Sequence, residues 1–368
     1  MQRCLELAQL AEGRTAPNPM VGALVLDADG DVVGSGYHHA AGQPHAEIHA
    51  LDEAGDRARG GTIYVSLEPC CHFGRTPPCV DKVIASGVRR VIAAVGDPNP
   101  VVSGKGFAAL RERGIEVVEN VMLKEASWLN RGFFKVKRTG RPWVILKLAT
   151  TLDGKIADRF NSSKWITGEE SRQLVHDLRN RLDCVLVGAG TARFDDPSLN
   201  VRGIENKRDP KRAVIDPSLS ISPQSKLCRL DTGGDTILFC APDVKESRSS
   251  EYPEHVKLID VSEKEPGSQR GQRHHLDLEK CLEHLAVQNV LTVLCEGGGK
   301  LAGSLLQSGL VDEIYWFYAP KILGDTEAVP AIAHEQPLSI NSAAQFDLLE
   351  ARVLGNDTLI HCTTRSWF

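Results

Sequence analysis

No stretch of the 368 residues holds the ~18 consecutive apolar side chains that a bilayer-spanning helix needs, so nothing in the chain reads as a membrane segment. The opening residues, Met1-Gln-Arg-Cys-Leu-Glu-Leu-Ala, have the spacing of an amphipathic helix and not the build of a signal peptide. Basic excess is also missing. With 43 Lys and Arg against 48 Asp and Glu, the net charge of -5 argues against nucleic acid as the main partner, and any small anionic ligand must be met by local Arg and Lys. Nor is there a disulfide framework. Ten cysteines are spread through the chain, three of them between positions 70 and 79, which fits a reducing compartment and a cytoplasmic protein. The length suffices for two domains, each with its own core.

What the chain does contain is a dense group of metal-ligand residues. His45-Ala-Glu47 is followed by Pro69-Cys70 and Pro78-Cys79, with eight residues between the two cysteines. Two thiolates and one imidazole leave a tetrahedral zinc one open position, where water becomes acidic enough to act as a nucleophile near neutrality. Glu47 is not needed as a ligand. It can take the water's proton and pass it to a ring nitrogen and a departing amine, as hydrolytic deamination requires. A purely structural zinc knot has no use for that carboxylate. Because Cys70 and Cys79 each follow a proline, each is expected where a helix begins, with backbone N–H groups favouring the thiolate; Cys71 and His72 are then left over. The usual nucleobase-deaminase signature has two residues between its cysteines, so the longer loop is a departure.

Along the first third, periodicity predicts a helix over 2–13, a hairpin of strands 21–26 and 32–37 around Asp27-Ala-Asp-Gly30, and a helix over about 46–59 carrying Glu47 on its first turn. Strands at 62–67, 90–95 and 116–118 then alternate with helices at 80–86 and 106–113, which implies a layered α/β domain. Residues 124–142 turn basic and aromatic and are expected to be a helical connector, its aromatics packing and its charges solvated. A second α/β alternation follows, with strands at 143–149, 183–187, 212–215, 236–240, 290–295 and 313–318, and helices at 169–180, 278–286 and 300–307. The polar stretches 203–211 and 243–275 read as exposed, poorly ordered loops. After the strand ending at Cys295, Glu296-Gly-Gly-Gly-Lys-Leu-Ala-Gly-Ser304 opens onto a helix. Such a turn either packs a helix closely on a strand or holds a pyrophosphate on backbone N–H groups.

Taken together, His45-Ala-Glu47, Leu67-Glu-Pro-Cys70, Gly74-Arg-Thr-Pro-Pro-Cys79, Asp97-Pro-Asn-Pro100 and Pro17-Asn-Pro19 resemble the deaminase half of the bifunctional riboflavin-biosynthesis deaminase/reductases, often called RibD or RibG. Leu146-Lys-Leu-Ala-Thr-Thr-Leu-Asp-Gly154, Ser163-Lys-Trp165, Gly188-Ala-Gly-Thr191, Asp195-Asp-Pro197, Leu199 and Glu296-Gly-Gly-Gly resemble the reductase half. The resemblance covers nearly the whole chain and is weak after about Asp325. It implies a cytidine-deaminase-like three-layer domain over 1–123, the connector 124–142, and a dihydrofolate-reductase-like α/β domain over 143–368. It further implies one zinc on His45, Cys70 and Cys79 with Glu47 catalytic, and Asn18, His38, Glu68, His72 and Arg75 near a phosphorylated pyrimidine. In the second half, Ala149, Thr191, Asp195, Gly298, Gly299, Lys300, Leu301, Ala302, Gly303 and Ser304 would border NADPH. Ser163, Trp165, Arg179, Leu199, Arg202 and Glu296 would contact the substrate. The expected activity is deamination of a ribosylated diaminopyrimidinone phosphate followed by reduction of its ribosyl group, in a homo-oligomer with neither nucleic acid nor membrane as partner.

Overall fold

Glycines decide how the first sheet is covered. The computed structural model describes residues 1–73, 77–99, 102–262, 275–333 and 339–364, and they cluster into two units, Met1–Arg141 and Pro142–Phe368. In the first, β1 (Gly22–Leu26), β2 (Val32–Tyr37), β3 (Thr62–Val65), β4 (Arg90–Ala93) and β5 (Glu116–Val118) form one sheet in the order β2-β1-β3-β4-β5. Strand β1 is antiparallel to both neighbours, and β3, β4 and β5 are parallel. The helices are α1 (Gln2–Gln9), α2 (Ala46–Ala54), α3 (Cys79–Ala85), α4 (Lys105–Glu112), α5 (Leu123–Leu129) and α6 (Arg131–Thr139). A Cβ on Gly22 would lie 2.1 Å from the Cys4 carbonyl of α1, and one on Gly34 would lie 2.1 Å from the Ala50 carbonyl of α2. Gly34 pairs with Val25, three residues along from Gly22. Since side chains alternate along a strand, α1 and α2 lie on opposite faces. Helix α5 packs beside α1 and α3 beside α2, which gives three layers.

Strands β2, β3 and β4 all end at one edge of this sheet. The Gly34 and Gly36 notch seats α2 close against β2, so that the start of α2, with His45 and Glu47, stands over that edge. The stretch 124–142 consists of α5 and α6 up to Thr139, and through Arg141 it clusters with the first unit.

In the second unit the sheet strands are β6 (Trp143–Thr151), β8 (Cys184–Gly188), β9 (Lys211–Ile215), β10 (Thr236–Cys240), β11 (Val256–Asp260), β12 (Thr292–Cys295), β13 (Glu313–Ala319), β15 (Phe346–Leu354) and β16 (Asp357–Thr364). Strands β7 (Lys155–Ala157) and β14 (Val329–Pro330) form a separate pair. The sheet order is β11-β10-β9-β8-β12-β6-β13-β16-β15; the first seven run parallel, and β16 and β15 join antiparallel. Its helices are α7 (Glu169–Arg181), α8 (Ala189–Asp195), α9 (Pro242–Arg248), α10 (Leu278–Val287) and α11 (Gly299–Gln307). Trp143, Val144, Ile145 and Leu146 are all fully buried, as expected of a central parallel strand covered on both faces.

Several expectations need correction. The polar stretch 243–275 is not a loop throughout: it holds most of α9 and all of β11, where Val256 and Ile259 are buried while Lys257 and Asp260 face water. An edge strand needs few apolar residues, so its composition hid it. Residues 263–274 of that stretch lie outside the described residues. Nor is 203–211 loose along its length, since Asp209 accepts the Val201 N–H at 2.7 Å, Arg208 reaches Asp183 at 3.2 Å, and Lys211 opens β9. The β15–β16 hairpin was not foreseen; a bulge between Leu348 and Glu350 interrupts the period of two that would have announced it.

Candidate functional site

Helix α3 begins at Cys79, with Pro78 as its N-cap in extended conformation. Proline suits that place because its missing N–H is one the first turn would leave unpaired anyway. Cys70, by contrast, lies on no helix. Its sulfur nevertheless receives the N–H of Cys79 at 3.3 Å, so the start of α3 serves both sulfurs and the expected thiolate-favouring amide reaches Cys70 from across the loop. His45 precedes α2, whose first turn carries Glu47. The His45 Nδ1 lies 3.1 Å from the Cys79 sulfur and 3.6 Å from the Cys70 sulfur, and one ligand atom from each of the three residues falls within 4.8 Å of the others. Tetrahedral zinc with its usual bond lengths places nitrogen and sulfur about 3.5 Å apart and two sulfurs about 3.8 Å apart. These donors therefore fit the ion.

The electrostatics agree with that fit. The neighbouring Cys79 thiol, against the cost of burial and with help from His45, holds the Cys70 thiol below its ordinary range. The contact with Cys70, with burial, pushes Cys79 up. His45 is raised by its bond to Cys70, in spite of burial. Burial lifts the Glu47 carboxyl to about 7, with His45 pulling the other way. Glu47 is 3 % exposed, so a neutral carboxyl or a proton-accepting carboxylate is within reach near neutral pH. His38 is buried; its Nδ1 lies 3.1 Å from the Pro44 carbonyl and its Nε2 3.0 Å from the Asn18 amide nitrogen. The two contacts fix a neutral ring with Nδ1 protonated, since the Asn18 amide must donate, and burial lowers its pKa in keeping. The His38 and His45 rings meet edge-on at 5.2 Å. His72 follows Cys71, and its buried Nδ1 has no hydrogen-bond partner among the described residues. Arg75 lies outside the described residues. Glu68, expected near the pyrimidine, is 3 % exposed and receives backbone N–H groups of the 97–107 segment instead.

In the second unit the candidate positions collect at the carboxyl ends of the adjacent parallel strands β8, β12 and β6, where open α/β sheets take ligands. Ala149 lies near the end of β6, Thr191 in α8 just after β8, and Glu296 to Gly298 directly after β12. The Gly298 N–H donates to the Thr191 hydroxyl at 3.1 Å and so joins two of these ends. A Cβ on Gly298 would meet nothing closer than that hydroxyl at 3.5 Å, whereas one on Gly299 would lie 2.3 Å from the Pro330 carbonyl and one on Gly303 2.0 Å from that of Ala333. Gly299 and Gly303 thus pack α11 closely, whereas a side chain at Gly298 would make only an ordinary contact with Thr191. Leu301 and Ala302 belong to the core, which leaves backbone groups and the exposed Lys300 and Ser304 as what this turn can offer a ligand.

Arg179 of α7 and Glu296 form a two-bond fork at 2.6 and 2.9 Å. Burial works to raise the Glu296 carboxyl, but the charge and bonds of Arg179 outweigh it and leave the group lowered. Lys147, inside the Leu146–Gly154 stretch, and His176 of α7 are not among the residues singled out in the sequence; both belong to this cluster. Lys147 is lowered by burial, with Glu296 opposing, and His176 is lowered by burial and by Arg179 and Arg202. The signal for His176 was its spacing, since positions 176 and 179 share a helix face. Leu199 is buried, Asn200 gives its carbonyl to Arg179 at 3.1 Å, and the Arg202 N–H meets His176 Nδ1 at 3.3 Å, which brings 199–202 against α7. Trp165 is 64 % exposed, with the Arg172 guanidinium 4.6 Å over its ring, and Lys321 holds the Trp165 and Ile166 carbonyls at 2.7 and 2.8 Å. Ser163 lies two residues before it, half-buried, and Asp195 ends α8. Among the described residues, no hydrogen bond or ion pair joins Ser163 or Asp195 to the Arg179–Glu296 fork.

Residues 142–360 match the family profile described as RibD C-terminal domain, and residues 1–95 match the cytidine and deoxycytidylate deaminase zinc-binding region. The chain is 41 % identical to the riboflavin biosynthesis protein RibD of Escherichia coli over 98 % of its length and 97 % of the relative's. With that of Aquifex aeolicus it shares 43 %, over 98 % and 96 %. Among solved structures, RibD of Acinetobacter baumannii superposes with a TM-score of 0.86 at 34 % identity, covering 98 % of this chain and 97 % of that one. A diaminohydroxyphosphoribosylaminopyrimidine deaminase/5-amino-6-(5-phosphoribosylamino)uracil reductase of Thermotoga maritima does so with 0.85 at 35 %, covering 99 % and 97 %.

Proposed function

The chain belongs to the RibD family of bifunctional deaminase/reductases of riboflavin biosynthesis, and on that footing we propose which residues carry each half of the work. The first unit is the zinc-dependent deaminase and the second the NADPH-dependent reductase. The substrate is 2,5-diamino-6-ribosylamino-4(3H)-pyrimidinone 5′-phosphate and the final product 5-amino-6-(5-phosphoribitylamino)uracil; the name of the Thermotoga relative gives a deaminase of the diaminopyrimidine and a reductase of the phosphoribosylaminouracil.

His45, Cys70 and Cys79 would hold the zinc, which supplies a water acidified to a pKa of about 7. Glu47 takes a proton from the attacking water, gives it to the ring nitrogen next to the amino-bearing carbon, and then delivers the second proton to the amine that leaves as ammonia. One carboxyl can do both because its burial places it near neutrality. The neutral His38 orients the Asn18 amide, whose remaining groups, with the His72 Nδ1 that has no partner among the described residues, offer hydrogen bonds to the pyrimidine and its phosphate. The single observation that carries this half is the three-ligand cluster with Glu47 buried beside it.

In the second unit bound NADPH would supply the hydride that reduces the ribosyl group to ribityl. Gly298 leaves room for close approach, and Thr191, Lys300 and Ser304 present polar groups around it. Arg179 makes two bonds to Glu296 and one to Asn200, so its part is to fix Glu296 toward the substrate, while the exposed Arg202 serves the substrate phosphate. No helix among the described residues is long and apolar enough to cross a membrane. The enzyme works in the cytoplasm, as a homo-oligomer built on the edge strand β15, where Leu348 and Val353 are 62 % and 72 % exposed. Incubation with the diaminopyrimidinone phosphate tests the reading: one equivalent of ammonia should appear with or without NADPH, and one equivalent of NADPH should be oxidised when it is present. Absence of ammonia would sink it.

A further inference from the structure

Glu68 stands two residues before the zinc ligand Cys70, and its carboxylate is fully engaged. One oxygen accepts the N–H of Asp97 at 3.1 Å and of Gly104 at 2.9 Å; the other accepts those of Gly106 at 2.9 Å and Phe107 at 3.3 Å. A carboxylate has about four lone-pair sites, and here four backbone donors fill them, so none is left for a substrate. The donors are not neighbours in the chain. Asp97 follows β4, while Gly104 is the N-cap of α4 and Gly106 and Phe107 lie in its first turn. One buried side chain therefore closes both ends of the excursion from 97 to 104. Its backbone is fastened as well, because the Glu68 N–H donates to the Val95 carbonyl at 2.9 Å. Packing reinforces the tie: a Cβ on Gly106 would fall 2.2 Å from the Pro69 carbonyl, so only glycine lets α4 come this close to the residue that precedes Cys70.

The excursion belongs to the same edge as the zinc ligands. Strands β3 and β4 are parallel neighbours; the chain leaving β3 carries Glu68, Cys70 and His72, and the chain leaving β4 carries Asp97 and Asn99. Asp97 accepts the Asn99 N–H at 2.8 Å, and its half-buried carboxyl feels Glu68, Lys137 and His72. Asn99 in turn gives its carbonyl to Val102 and Ser103. We propose that Glu68 is a positioning residue of the deaminase: it holds the 97–99 turn against the 70–72 segment and so builds the substrate wall on the His72 side, without touching substrate or metal. The inference rests on the deaminase reading above.

The test uses Glu68→Gln in the full-length zinc enzyme. Glutamine keeps the volume but turns one end into a donor, which then faces two N–H groups instead of bonding them. The expected result is one zinc per chain, unchanged reduction of the deaminated substrate, and a KM for deamination raised about tenfold with kcat changed by less than about threefold. Gly106→Ala strains the same contact from the α4 side and should show the same split, so the idea stays testable if Glu68→Gln folds poorly. A wild-type KM in both variants, or a loss of zinc in place of a rise in KM, would overturn it. Failure of the wild-type enzyme to deaminate would instead overturn the underlying reading.

Discussion

Arg179 and Glu296 are joined by two parallel bonds in a site where their side chains keep 12 % and 10 % of their exposure. Guanidinium matches carboxylate geometry in a way that ammonium does not. Arg179→Ala should destabilise the second unit by about 3 kcal/mol, because Glu296 is left as a buried unpaired charge. Replacing both residues by leucine should restore most of that stability without restoring reduction. Denaturant unfolding beside an NADPH-oxidation assay checks both parts; recovered activity in the double variant would show that Glu296 has no part in the reaction.

The zinc assignment is tested by metal content. Cys70→Ser and Cys79→Ser should lose most of the metal, and Cys71→Ser should keep one zinc per chain, since only the first two sulfurs lie with His45. Absorption spectroscopy at the zinc edge should find two sulfur and one nitrogen ligands from the protein. A dispensable Cys70 beside an indispensable Cys71 contradicts the assignment.

Glycines after β12 give opposite expectations. A Cβ on Gly298 would make only an ordinary contact with Thr191, so Gly298→Val should fold and melt like the parent yet bind NADPH at least tenfold more weakly, read by fluorescence titration. Gly303→Ala drives a methyl group into the Ala333 carbonyl and should lower the melting temperature of the second unit. Normal NADPH binding by Gly298→Val would reduce the turn to packing alone.

Much of the deaminase site was legible because its chemistry is local: His45 and Glu47 share a turn, and Cys70 and Cys79 each follow a proline. Cys70 gave a misleading sign, since its proline does not start a helix and its stabilising amide belongs to Cys79. Glu68 could be located but its role could not be read, because four donors between 97 and 107 meet it only in three dimensions. The same holds for Lys147, His176 and Glu296, which come from β6, α7 and the end of β12. Edge strand β11 and the bulged β15 were missed where exposure and irregular register erase the apolar period.

Glu47 also predicts a pH dependence for the zinc-free protein. Its folded pKa of about 7 lies above the ordinary 4.5, so the folded state binds the extra proton between those values. Stability from this group is fully present below about pH 4.5 and falls as pH rises to about 7, by roughly 3 kcal/mol in all. Glu47→Gln should remove that slope. Parallel pH–stability curves for the two proteins would refute the cause given for the shift.

The central claim is that deamination through Glu47 precedes reduction at a separate site. It is tested most directly by giving Glu47→Gln and the parent enzyme either the diaminopyrimidinone phosphate or its deaminated form, with NADPH, while following ammonia and NADPH absorbance together. The account predicts that Glu47→Gln retains zinc, releases ammonia at least a thousandfold more slowly, and oxidises NADPH at the parental rate only with the deaminated form. Parental ammonia release by Glu47→Gln, or parental NADPH oxidation on the diamino substrate without deamination, would contradict it.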